Sequence, residues 1–148
     1  TGDEVLVLGY PEGNVELRSL TGDLHSVTFD QVPSSPTSRI IPGPPGTLII
    51  GYGNGVVGLW SIEDGALIKK HRLHGSVEHL LMQGSHFHAA TDVGVHMEWN
   101  LQAFTLSRCD LVRQIWDRTK VTWQAGQIVA QPPPRDDRCA KSKPGDGS

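Results

Sequence analysis

The sequence predicts an all-β chain, built as a tandem array of short antiparallel four-stranded units. Three observations predict it. The 148 residues include 17 glycines and 10 prolines, well above the roughly 12% of average usage, and such punctuation suits strands and turns rather than long helices. Short β-rich runs are split by Gly-Asn-Gly-type turns. The whole pattern then repeats at a spacing of 39–42 residues, the mark of a repeat architecture.

The repeat sets the register of each element. VLVLGYPEGNVELRSL (residues 5–20) aligns with TLIIGYGNGVVGLWSI (47–62) at an offset of 42. Gly13 falls on Gly55, Val15 on Val57 and Leu17 on Leu59. The second copy aligns with FHAATDVGVHMEWNL (87–101) at an offset of 39, with Trp60 on Trp99. A partial fourth copy places Gln83-Gly84 on Ala125-Gly126.

Within a unit, Pro11-Glu12-Gly13, Gly53-Asn54-Gly55 and Asp92-Val93-Gly94 read as hairpin turns needing φ > 0. Arg39-Ile40-Ile41 reads as an inner strand, entered through an exposed insertion, Asp30–Ser38, that holds Pro33, Ser35 and Pro36. Its Ser35-Pro36 pair also fits a proline-directed phosphate acceptor. Pro42–Gly46 and Met82–Ser85 read as equivalent turns after the inner strand. Asp64-Gly65 leads into a fourth strand from Ala66 to Lys69. Residues 112–124 carry a partial helical spacing at Val112, Ile115, Trp116 and Trp123, but their register favours strand–turn–strand, with Trp116-Asp117 in a turn. Four strands per 40-odd residues make one propeller blade.

HGSVEHLLMQGSHFHAATDVGVHMEWNL resembles one repeat of the WD-repeat β-propeller family, which opens with Gly-His and closes with Trp-Asp. Here the opening is His74-Gly75 and the closings are Trp99-Asn100, Trp60-Ser61 and Arg18-Ser19. Aspartate is missing from every closing position, and Asn54 and Val93 stand where the family usually places an acid. The expected fold is thus a partial WD-repeat-like β-propeller of antiparallel four-stranded blades. About three blades span residues 1–131, and a disordered polar tail spans 132–148. Propellers typically need four to eight blades. The remainder of a larger propeller, or self-association, is therefore expected to cover the open sheet edges.

The charge balance, 13 Lys+Arg against 16 Asp+Glu, gives no polybasic field, so nucleic acid is not an expected partner. No apolar run reaches the length of a membrane helix. Two cysteines, Cys109 and Cys139, exclude a disulfide-rich scaffold. They suggest free thiols and a cytoplasmic setting, with the nucleus as the alternative. The start at Thr1, with nothing like a signal peptide after it, suggests a segment of a longer chain.

Candidates for chemistry are few. Six of the seven histidines fall between His71 and His96. His86 and His88 share a strand face, and with His96 they offer three imidazoles, enough for an open zinc site. Hydrogen bonding between strands explains them more simply, so no metal, cofactor or catalytic residue is expected, and no enzyme. No nucleophile elbow, phosphate loop or dinucleotide fingerprint occurs. Trp60 and Trp99 hold repeat-equivalent core positions.

The resemblance implies a non-catalytic interaction scaffold that docks protein or peptide partners into a complex. The expected contact residues are Pro11, Glu12, Asn54, Asp92 and Val93 on the turns, with Trp116 as an aromatic anchor if exposed. The alternative is binding of an anionic ligand, a phosphoinositide or nucleic acid, through Lys69, Lys70 and Arg72.

Overall fold

Leu48, Ile49 and Ile50 form an unbroken apolar run where a half-buried strand would alternate. The computed structural model, described here for residues 5–20, 27–29 and 34–130, shows why. Their strand lies in the middle of three stacked sheets and is buried on both faces.

The first sheet holds β1 (Val5–Gly9), β2 (Val15–Ser19) and β3 (Val27–Thr28). The second is a complete four-stranded blade of β4 (Thr37–Pro42), β5 (Thr47–Tyr52), β6 (Val56–Ser61) and β7 (Leu67–Arg72). The third holds β8 (Val77–Gln83), β9 (His86–Thr91) and β10 (His96–Asn100). Every pairing is antiparallel between chain neighbours. A short 3₁₀ turn, Gln102–Phe104, follows.

The alternation of β5 and β6 sends their side chains to two separate cores. Ile49, Val57 and Leu59 pack toward the third sheet with Val77, Phe87, Ala89, Trp99 and Leu101. Leu48, Ile50, Tyr52 and Trp60 pack toward the first with Val15, Leu17 and Phe29. Trp60 is 1% exposed and Trp99 7%, so both hold the core positions expected of them. Each fully buried aliphatic side chain contributes about 1.5–3 kcal/mol. Gly58 is needed because the Trp60 ring lies across it, leaving no room for a Cβ.

The inner strands β4 and β8 share a feature the sequence did not reveal. Both slip register at their start, between Thr37 and Arg39 and between Val77 and His79. A bulge disrupts the ladder and frees carbonyls. Arg39 uses them: its Nη1 donates to the Ser38 carbonyl at 2.8 Å and its Nε to the Glu78 carbonyl at 2.9 Å. Its Nη2 pairs with the Glu78 carboxylate at 3.2 Å. One guanidinium thus joins two blades.

The sheets do not close. Among the described residues, β1 has no partner matching β4, and β10 has none matching β7. The chain divides into two units, Thr1–Phe104 and Thr105–Ser148. The second contains α1 (Arg108–Thr119) and a hairpin of β11 (Val121–Gln124) and β12 (Gln127–Ala130).

Several expectations need correcting. Residues 108–119 form a helix, so strand–turn–strand across 112–124 does not hold, and Trp116-Asp117 lies within the helix rather than in a turn. The spacing of Val112, Ile115 and Trp116 was the better guide. Ser107 supplies the start signal: its Oγ accepts from the Asp110 amide at 3.1 Å and donates to the Asp110 carboxylate at 2.6 Å, a reciprocal cap. The expected turn at Ala125-Gly126 is present, with φ of 48° and 80°. β4 begins at Thr37, two residues before Arg39. Ser35 is only 7% exposed, so it does not sit in a solvated loop open to a kinase. Cys109 is disulfide-bonded, which removes the free-thiol argument for the cytoplasm. The tail at 132–148 lies outside the described residues.

Candidate functional site

The three β-turns singled out by the repeat join equivalent strands: β1 to β2, β5 to β6 and β9 to β10. Each closes with a glycine at positive φ, namely Gly13, Gly55 and Gly94. Gly55 is the most constrained, since a Cβ there would run into the Leu73 carbonyl. Main-chain bonds stitch the β5–β6 and β9–β10 turns to the segments between blades. The Gly53 amide donates to the Pro36 carbonyl at 2.9 Å, the Leu73 amide to the Gly55 carbonyl at 2.9 Å, and the Asp92 amide to the Ser76 carbonyl at 3.0 Å. Residues 34–36, 53–55, 73–76 and 91–94 therefore form one continuous rim.

The expected contact residues differ in what they present. Asn54 is half-buried, and its Oδ1 accepts from the Val56 amide at 3.1 Å, so it serves its own turn. Asp92 is exposed, yet its Oδ1 accepts from the Ser76 amide at 2.8 Å. This acid ties one blade to the preceding link, one residue before the position where the resemblance expects it. Val93 is 64% exposed. Pro11 and Glu12 are exposed on the β1–β2 turn. Trp116 belongs to α1 of the second unit.

Beside the β1–β2 turn lies a shallow hollow of about 290 Å³, lined by Tyr10, Glu12, Asn14, Val15 and Glu16. The Tyr10 hydroxyl donates to Glu16 at 2.9 Å, and Arg18 Nε reaches the same carboxylate at 3.0 Å. The hydrogen bond to Glu16 raises the Tyr10 phenol above its ordinary value. The repeat placed Tyr10 on Tyr52 and Arg18 on Trp60, but it gave no sign that Glu16 would join them.

The basic strand does not form one patch. Successive residues of β7 point to opposite faces, which separates Lys69 and His71 from Lys70 and Arg72. The Lys69 ammonium lies 4.8 Å from the centre of the Trp99 ring, a cation–π contact.

The histidines pair up. His86 Nδ1 meets Glu98 Oε1 at 2.5 Å, and His88 Nδ1 lies 3.3 Å from His96 Nε2. The His86 hydrogen bond, with the charges of His86, His88 and His96, holds the Glu98 carboxyl below its ordinary value. His86 is thus engaged by Glu98, and His88 by His96. Among the described residues no group of three or more His, Cys, Asp or Glu is placed to hold a metal ion. Also among them, no helix is long and apolar enough to cross a membrane.

No protein-family model matches the chain, and no curated protein does. Solved structures do. The computationally designed Ika4 protein superposes with a TM-score of 0.59 and 19% identity, covering 68% of this chain and 62% of that one. The designed Ika8 protein gives 0.58 and 20%, covering 68% and 31%. BamB from Moraxella catarrhalis gives 0.54 and 16%, covering 65% and 28%. The chain therefore spans less than two thirds of each of these proteins. At such identities the likeness concerns the fold alone, and that fold is an antiparallel, propeller-like array of blades whose sheets are not closed.

Proposed function

We propose that this chain is a non-catalytic propeller platform that docks a protein or peptide partner. The observation that supports it is the rim. Three main-chain bonds fix the two inter-blade links, 34–36 and 73–76, to the adjoining turns, so exposed Asp92 and Val93 stand on a stiff support. Rigid presentation lowers the ordering cost of binding. The blades are read as divergent WD-type repeats, with the Trp60 and Trp99 positions as their common anchor. The open edges of β1 and β10 are read as the places where more of a longer propeller, or a second copy, adds strands.

The test is site-specific photo-crosslinking in the source cells. A crosslinker at Glu12 or Val93 is expected to capture one discrete protein. One at Glu63, on the β6–β7 turn at the other end of the strands, is expected to capture none. Equal capture from both ends, or none from the rim, would reject the reading.

A further inference from the structure

The repeat register shows what is unusual about the third blade. Val7 pairs with Leu17 and Ile49 with Leu59. The same offsets carry these pairs onto His88 and Glu98, which also pair. Likewise Val15 and Val57 correspond to His96. In the first and second blades these positions pack against the next blade. In the third they carry two imidazoles and a carboxylate on an open face.

We propose that His88 and His96 form a two-ligand site for a divalent transition-metal ion of the zinc type. Both donors sit on neighbouring strands of one ladder, where His88 faces Glu98 and His96 faces Ala90, so pairing fixes their backbones. Their nearer ring nitrogens are 3.3 Å apart. Two Zn–N bonds of about 2.0–2.1 Å at a tetrahedral angle need about 3.4 Å between donors. The rings are 18° from parallel with centres 5.5 Å apart. A small rotation of these solvent-reachable rings turns both lone pairs from each other toward a common ion. Glu98, opposite His88, adds negative charge beside it. Water completes the coordination, and this site is independent of the rim.

The experiment is calorimetric titration of the full chain with zinc chloride in a weakly coordinating buffer. One saturable ion per chain is expected. His88→Gln and His96→Gln should each weaken binding by about tenfold or more. His86→Gln should stay within about threefold of the parent, since His86 is engaged by Glu98. Zinc should also raise the melting temperature of the parent but not of the double variant H88Q/H96Q. Circular dichroism without metal checks that each variant folds. Absence of a saturable site, undiminished binding in the double variant, or an equal loss in His86→Gln would overturn the proposal.

Discussion

The face that the second blade turns toward the third and the face that the third turns outward are built on the same backbone positions. One carries Ile49, Val57 and Leu59, all fully buried. The other carries His88, His96 and Glu98. The hairpin register is identical in both, so backbone pairing does not depend on these side chains. They decide instead whether the sheet stacks on a neighbour. A polar face of this kind favours water over a stacked sheet.

The comparison is tested most severely by equivalent truncations. Ile49→Ala empties space between two blades and should cost about 3 kcal/mol. His88→Ala, at the equivalent place on the open face, should cost no more than about 0.5 kcal/mol. Urea midpoints of the two variants measure the contrast. Similar losses would mean that the outer face is structurally as important as the inner one.

The reverse exchange sharpens the point. The triple variant His88→Ile, His96→Val, Glu98→Leu rebuilds the second blade's stacking surface on the third. Its stability should change by only about 1 kcal/mol, but its exposed apolar patch should drive association. Light scattering should report a higher mass than for the parent at equal concentration. An unchanged mass would show that those three positions do not control stacking.

Much of the first unit was legible because turn chemistry and repeat spacing act locally. Gly55 and Gly94 mark turns whatever surrounds them, and Trp60 and Trp99 mark cores. The rim's backbone was therefore readable, while the duties of its polar atoms were not. Asn54 binds the amide two residues on, as turn asparagines do, but Asp92 binds the distant Ser76 amide, which the sequence gives no means of pairing. The third blade's outer face was half legible: two histidines on one strand face were expected, but His86 turning to Glu98 depends on a cross-strand partner. Arg39 was missed because bulges leave no sequence mark of their own. Residues 108–119 were misread because a weak repeat register was preferred to the cap at Ser107 and the helical spacing behind it.

A polar atom on the apolar side of the comparison gives the smallest effect. Tyr52 is fully buried on the second blade's face toward the first, edge-on to Trp60 with ring centres 6.0 Å apart. Its hydroxyl has no hydrogen-bond partner among the described residues. An unpaired buried hydroxyl costs stability, so Tyr52→Phe, which keeps the ring contact, should gain about 1 kcal/mol. Burial also pushes the Tyr52 phenol well above its ordinary value. The folded chain then keeps a proton that the unfolded chain releases above about pH 10. Tyr52's contribution is therefore constant below that pH and falls as pH rises beyond it, because the folded state binds more protons there. Thermal melts from pH 8 to 11 should show the parent losing stability at the alkaline end more steeply than Tyr52→Phe. Parallel curves would mean that the phenol reaches water, and that this side of the blade is less sealed than the packing of Ile50 and Trp60 indicates.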